Sequence, residues 1–350
     1  MKKYQSRVVK VGPYKLGGNN PVRVQSMANT DTRDVKATVK QILALEKLGC
    51  EIVRVAVPDM KAAKVLGKIK KRSHIPLVAD IHFDYKLALE AVKQGIDKIR
   101  INPGNIGSME KVKAVVNACK AKNIPIRIGV NAGSLEKDLL KKCGAAPKAA
   151  VESALRHVRI LEKLKFYDIL ISIKFSDVSK MVEAYRMLAK KVPYPLHLGV
   201  TEAGTAYSGM IKNAIGIGIL LNEGIGATIR VSLTASPEEE IRACWAILGA
   251  LGLRKRGPEL ISCPTCGRTE IDLVSLAKKV EKAIEHIDKP IKVAVMGCAV
   301  NGPGEAREAD VGVAGGKKMG AIFVKGKVTK SVREKDILPS LLEEINKIIK

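Results

Sequence analysis

The chain has 350 residues, 46% of them hydrophobic, which is long enough for more than one domain and apolar enough to bury a substantial core. Its longest apolar run, residues 243–253 between Arg242 and Arg254, falls short of the roughly 18 residues a membrane span needs, and the opening MKKYQSRVVK is followed by no apolar stretch of the secretory kind, so a soluble cytoplasmic protein is expected, with its seven cysteines outside any disulfide framework. The balance of 61 Lys+Arg against 35 Asp+Glu invites a nucleic-acid reading, but aromatic residues at 3% leave few rings for bases to stack on.

The charge is uneven. Residues 1–255 hold 44 basic and 22 acidic side chains and residues 256–350 hold 17 and 13. Much of the excess is Lys at helical spacing, as in KAAKVLGKIKKR (61–72), which reads as solvated helix faces. The remainder is available to an anionic ligand.

In chain order, β-rich runs appear at PVRVQSM (21–27), EIVRVAV (51–57), PLVADI (76–81), KIRIN (98–102), PIRIGVN (125–131), ILISIKF (169–175), PLHLGV (195–200) and ATIRVSL (227–233). Amphipathic stretches at 35–48, 86–94, 109–121, 149–164, 178–190 and 237–251 separate them. The Gly-rich, apolar segment 208–226 is expected to be helical mainly from its length. Eight strand–helix units in about 255 residues predict a (β/α)8 barrel. Its last helix opens at Ser236-Pro237-Glu238-Glu239, with an N-cap, a proline at the first helical position and a carboxylate three residues after the cap. Residues 254–259 read as a linker. The tail, 256–350, predicts an independent α+β domain: a strand into Cys263, a helix opened by a capping box at Thr269-Glu270-Ile271-Asp272, a strand at 291–297, a hairpin around Gly315-Gly316 and a final helix at 338–349.

The barrel strand ends are unusually polar. Asp80 and His82, Arg100 and Asn102, Ser172 and Lys174, and Arg230 and Ser232 are spaced i, i+2, which puts each pair on one face of a strand. Arg54, Arg127 with Asn131, and His197 with Glu202 complete a set from seven strands, and catalytic residues of such barrels sit at C-terminal strand ends. Five converging cations would repel one another without an anion between them, which points to a phosphate or diphosphate ligand. Asp80, His82, His197 and Glu202 are the candidates for acid–base work. His74, His157 and His286 read as ordinary surface or partly buried residues.

In the tail, Cys263-Pro264-Thr265-Cys266-Gly267 is a metal-binding turn, and Cys298 follows within MGCAVNGPGEA (296–306). Three thiolates leave one position of a zinc site or an iron–sulfur cluster to another ligand, and Glu305 in the Gly/Pro-rich turn can supply it; on spacing both metals stay open. Cys50, Cys119, Cys143 and Cys244 have no such partners and read as core or incidental thiols.

Taken with VRVAVP (53–58), ADIHFD (79–84), IRINPGN (99–105), IRIGVNAGSLE (126–136), ISIKFSD (171–177), LHLGVTEAG (196–204) and IRVSLT (229–234), the two cysteine motifs resemble the 4-hydroxy-3-methylbut-2-enyl diphosphate synthase family over nearly the whole chain. The likeness is to its shorter, two-domain form. It implies a [4Fe-4S] cluster on Cys263, Cys266, Cys298 and Glu305, and reductive opening of 2-C-methyl-D-erythritol 2,4-cyclodiphosphate. It implies too that Arg54, Arg100, Arg127, Lys174 and Ser232 meet the diphosphate with Asn102, Asn131 and His82 nearby, and that Glu202 delivers a proton. Flavodoxin or ferredoxin would supply electrons, and a homodimer would share each active site between chains, with neither nucleic acid nor membrane as partner. Two other readings compete: a pterin-binding transferase of the dihydropteroate synthase type, suggested by Asn29 to Asp31, and a basic RNA-binding protein with a zinc module.

Overall fold

Strands that alternate β-branched residues with inward polar ones can close on themselves only if every backbone group finds a neighbour, and the computed structural model shows that closure. It describes residues 4–102, 105–144, 146–298 and 308–349. A short antiparallel hairpin, β1 (Val9–Val11) and β2 (Tyr14–Leu16), precedes eight parallel strands: β3 (Arg23–Met27), β4 (Ile52–Ala56), β5 (Leu77–Asp80), β6 (Lys98–Ile101), β7 (Ile126–Asn131), β8 (Ile169–Lys174), β9 (His197–Leu198) and β10 (Thr228–Ile229). They pair in the order β8-β7-β6-β5-β4-β3-β10-β9, and a parallel bridge between Ile171 and Leu196 joins the two ends of the ladder.

Nine helices are described around this barrel: α1 (Val35–Lys47), α2 (Met60–Lys70), α3 (Tyr85–Lys93), α4 (Met109–Ala121), α5 (Lys137–Cys143), α6 (Pro147–Lys163), α7 (Val178–Ala189), α8 (Ala206–Asn222) and α9 (Pro237–Ala250). Asp34, Asp59, Asp84 and Asp177 each cap one of them, accepting a backbone N–H from the first turn. The cap expected of Ser236 is not made by its side chain; its carbonyl accepts the N–H of Glu239 at 3.1 Å instead, while Glu240 turns inward. The expected helix in the Gly-rich segment is α8, clamped by Asn213, whose side chain accepts from Val200 N and donates to the carbonyls of Gly209 and Ser232.

The core between strands and helices is a continuous Val/Ile/Leu layer. A second cluster seals the N-terminal end of the barrel: Val9, Val11 and Leu16 of the hairpin pack on Ile52, Val78, Leu170 and Ala227. Each such side chain contributes roughly 1.5–3 kcal/mol by leaving water. The hairpin turns at Gly12 with φ +54°, and a Cβ there would lie 2.7 Å from Pro76 Cγ, so the tight seating needs glycine.

Residues 1–254 form this unit and residues 255–350 a second one. In the second, β11 (Pro258–Ser262), β12 (Ile291–Met296) and β13 (Val311–Gly316) run parallel, and β13, β14 (Met319–Val324) and β15 (Lys327–Arg333) antiparallel. Helices α10 (Leu273–Ile284) and α11 (Ile337–Ile349) bury Val280, Ile284, Leu341 and Ile345 with Val293, Val295 and Val313 of the sheet. The capping box placed at Thr269 is corrected: Asp272 caps α10, accepting from Ser275 N at 3.2 Å, and the Thr269 hydroxyl accepts the N–H of Cys266. No helix among the described residues is long and apolar enough to cross a membrane.

Candidate active site

The inward side chains of the barrel are stacked in levels set by strand register. Above the apolar seal come Gln25, Lys98 and His197, all fully buried. Lys98 Nζ donates to Gln25 Oε1 at 3.2 Å, and His197 Nδ1 lies 2.8 Å from Thr228 Oγ1. Burial, with the charges of Arg127, Lys174, Lys98 and Arg54, keeps the His197 imidazole well below its ordinary value and therefore neutral. Burial with Arg127 and Arg54 likewise depresses Lys98.

Above this floor, at the C-terminal strand ends, lies a cavity of about 150 Å³. Arg54, Asp80, His82, Arg100, Arg127, Asn131, Ser172, Lys174, Thr201 and Arg230 line it. Asp80 is the hub. It pairs with Arg100 Nη1 at 3.1 Å and Arg54 Nε at 3.6 Å, and the His82 ring lies 3.7 Å away. Burial alone would raise its pKa, but Arg54, the His82 hydrogen bond and Arg100 outweigh that and hold the carboxyl well below the usual range. Arg100 is fixed further by Gly129 O at 3.0 Å, and a Cβ on Gly129 would fall 2.2 Å from Arg100 Nε, so strand β7 must be bare there. Burial pushes the Arg54 guanidinium down to about 10 against the pull of Asp80.

Arg230 has a carboxylate of its own. Glu240 of α9, 3% exposed, meets it at 3.2 Å and accepts from Ser26 Oγ and Leu233 N. Lys174 and Arg127 are less well served. Lys174 is buried with no carboxylate in salt-bridge range among the described residues, and burial with Arg230, Arg54, Arg127 and Arg100 depresses its ammonium strongly. Arg127 is 1% exposed, and its Nε and Nη1 have no hydrogen-bond partner. Buried N–H groups that lack acceptors, on a residue lining a cation-rich cavity, point to an anion there.

Ten of the expected site residues thus split into nine at the cavity wall and one, His197, beneath it. Asn102 is buried beside the wall with its Oδ1 unpartnered, and Ser232 is half-buried at the end of β10, its carbonyl held by Asn213. Glu202 is exposed just beyond β9, in the left-handed region at φ +52°. The sequence reading missed Glu240, Lys98, Gly129 and Thr201. It also read His157 as a surface or partly buried residue; on α6 it is buried outright, 2% exposed, with Nε2 3.2 Å from Glu136.

In the second unit the cysteines follow strand ends. Cys263 comes directly after β11 and Cys298 two residues after β12, and these strands pair in parallel through Ser262 and Val295. Gly297 N donates to Cys263 Sγ at 3.2 Å, which ties the turn after β12 to the end of β11. Cys266 is exposed, and the backbone N–H of Arg268 lowers its thiol. All three are free thiols, a donor set that suits iron–sulfur or zinc chemistry. Among the described residues no three His, Cys, Asp or Glu side chains converge closely enough to hold an ion, and Glu305 lies outside those residues. Cys50, Cys119 and Cys244 are core thiols that burial pushes up to about 12, while the Cys143 side chain is outside the described set.

A closed parallel barrel with cations at its C-terminal mouth, followed by an α+β unit with thiols at its strand ends, defines a two-domain barrel enzyme acting on an anion. The chain matches the GcpE TIM-barrel domain over residues 6–245 and the GcpE protein C-terminal domain over 259–347, and it belongs to the GcpE family. It is 62% identical over 346 residues to the 4-hydroxy-3-methylbut-2-en-1-yl diphosphate synthase (flavodoxin) of Caldanaerobacter subterraneus subsp. tengcongensis, covering 99% of this chain and 98% of that one. The protein of that name from Thermodesulfovibrio yellowstonii is 59% identical over 348 residues, covering 99% and 100%. Among solved structures, the sialic acid synthetase of Leptospira borgpetersenii superposes with a TM-score of 0.52 at 13% identity, covering 71% of this chain and 90% of that one. The dihydropteroate synthase of Yersinia pestis gives 0.50 at 11%, covering 70% and 98%. Likeness at that identity shows the barrel fold alone.

Proposed function

We propose that the chain opens 2-C-methyl-D-erythritol 2,4-cyclodiphosphate and removes a hydroxyl reductively, yielding 4-hydroxy-3-methylbut-2-enyl diphosphate and water. The change consumes two electrons and two protons. The observation that carries this reading is the cation excess at the barrel mouth, five cations against the carboxylates of Asp80 and Glu240, with Arg127 N–H groups unpartnered in the buried wall. A charged diphosphate supplies the missing acceptors, each charge-assisted contact being worth about 1.5–3 kcal/mol. Asp80 keeps Arg54 and Arg100 forked and aimed, and Glu240 does the same for Arg230, so the guanidiniums are oriented before the ligand arrives. Ser172, Asn131 and Thr201 offer neutral donors among them. Glu202, at the exposed rim, is assigned to protonate the departing hydroxyl, and His82 to hold the ligand on the other side of the mouth.

Cys263, Cys266, Cys298 and Glu305 would hold a [4Fe-4S] cluster, which when bound supplies single-electron transfer and a Lewis-acidic iron. Reduced flavodoxin, the donor in the relatives' names, is the electron source we assign, with ferredoxin the alternative. We assign a homodimer in which each thiol-bearing unit serves the partner's barrel.

Protein purified without oxygen should be brown and should convert the cyclodiphosphate with reduced flavodoxin. A colourless zinc protein that retains RNA would overturn the assignment. For the dimer, inactive Cys263→Ser and Glu202→Ala chains are mixed under dissociating conditions and reassociated; mixed dimers should regain activity, and no recovery in verified mixed dimers would place each site within one chain.

A further inference from the structure

Glu51, just before β4 at the sealed end of the barrel, is only 9% exposed yet fully engaged. Its carboxylate accepts from Val24 N at 2.9 Å, from Arg23 Nη1 at 2.5 Å and from both Nη atoms of Arg254 at 2.5 and 3.1 Å. Arg254 also donates to Val22 O at 2.8 Å, and its guanidinium lies 4.6 Å from the centroid of Trp245, whose Nε1 is tied to Gly49 O. Arg254 is the last residue of the first unit.

Two residues later the chain is tied down again. Arg256 Nη2 meets Asp288 at 2.7 Å and Gly257 N donates to Asp288 O at 3.1 Å, both within the second unit, and β11 starts at Pro258. Between the two clamps stands Lys255 alone, exposed and without a hydrogen bond among the described residues. The six-residue tether expected at 254–259 is therefore reduced to one residue. A free tether of six reaches about 20 Å and a single residue about 3.5 Å.

We propose that Glu51 and Arg254 are positioning residues for the reaction, rooting the thiol-bearing unit so that the hinge between the units is confined to Lys255. This rests on the reading that the thiols serve a barrel mouth. A short, directed root restricts the positions the second unit visits and so raises its effective concentration where it must act. The planar guanidinium, held through both Nη atoms by one carboxylate and lying over the indole, fixes direction as well as distance, which a lysine at 254 would not.

Glu51→Gln in the full-length, cluster-loaded protein tests this, with Arg254→Lys as the second variant should the first fail to fold. Tryptic cleavage of the native protein should be confined to the bond after Lys255. In either variant, cleavage after residue 254 should rise roughly tenfold as the freed side chain opens. Acrylamide should quench Trp245, the only tryptophan, more strongly. Turnover should show a lower kcat with KM, and the affinity for inorganic pyrophosphate, unchanged. Asp288→Asn should free the bond after Arg256 and lower kcat in the same way. Unchanged cleavage and quenching would overturn the proposal, as would a loss of pyrophosphate affinity in step with kcat, since the clamp would then merely support the barrel. A wild-type chain that binds iron but never turns over the cyclodiphosphate would instead overturn the assigned reaction, and with it the positioning role, while cleavage and quenching would still report whether the hinge exists.

Discussion

The barrel mouth and the thiol-bearing strand ends use one device, the polar residue just past a parallel strand, for opposite ends. At the mouth the groups are buried, held by a closed ladder and crowded with like charge; Lys174 and Arg127 sit where nothing in the described protein neutralises them fully. In the second unit, Cys266 is exposed and Cys263 leans on a single backbone N–H. The difference teaches where rigidity is needed. A site that must recognise charge gains from orienting its donors beforehand, at a cost in stability. On the assignment proposed above, the thiol site exchanges electrons with another protein and has to remain reachable.

The largest effect expected from breaking this division is in the second unit, at Cys298, which unlike Cys266 is buried. Cys298→Ser should abolish iron binding and turnover together, yet leave the melting of the barrel and its affinity for pyrophosphate as they were. Iron analysis, calorimetry and titration check the three parts. Full iron occupancy with turnover would remove Cys298 from the ligand set.

At the barrel mouth, Lys174→Met should move affinity and stability in opposite directions. Pyrophosphate affinity should fall at least roughly tenfold with the loss of a charge-assisted contact. The unliganded protein should gain about 1 kcal/mol, because a desolvated cation among four guanidiniums has been replaced by an apolar chain of similar length. Denaturation with and without pyrophosphate reads both, and a variant that loses stability and keeps affinity would show that Lys174 is structural.

A smaller effect comes from the floor. The folded value of His197 lies below the ordinary 6.5, so between the two the unfolded chain carries a proton the folded one lacks. Its contribution is fully present above pH 6.5 and declines as the pH falls, by at most about 1.4 kcal/mol per pH unit. His157 shifts in the same direction, so urea unfolding of the native protein and His197→Gln at pH 7.5 and 5.5 isolates the term. Equal losses in both would assign the pH dependence elsewhere. Smallest of all, Cys119→Ala should cost about 1 kcal/mol through lost packing and leave iron content untouched; a fall in iron would widen the set of ligating thiols.

The eight barrel strands were legible because most alternate apolar, largely β-branched residues with polar groups, as in IRIGVN and ILISIK. The Cys263–Cys266 turn was legible as a candidate metal-binding turn because its spacing is local, whereas Cys298 comes 32 residues later and is brought to the same end of the sheet only by the parallel pairing of β11 with β12. The hairpin VKVGPYKL was not, since three-residue strands carry too short a period, and β15 was hidden because KVTKSVR is an edge strand whose side chains mostly face water. Glu240 could not be told from Glu238 and Glu239, because only the rotational phase of α9 against the barrel selects one of three adjacent carboxylates. Lys98 reads as an exposed strand start; that it faces inward depends on register, which only the closed ladder defines. Asn213 did leave a signal, an amide in the middle of a largely apolar, Gly-rich helix.

The β1–β2 hairpin gives the barrel a stopper, and a stoppered vessel has one door. Whatever enters past His82 must be replaced through the same opening, with no rear exit for a spent molecule. If both the arriving and the departing compound carry a diphosphate, each competes for the guanidiniums the other has just held. Queueing then becomes a property of the architecture: departure precedes arrival in every cycle, and accumulated product shuts the entrance to fresh substrate as a simple competitor.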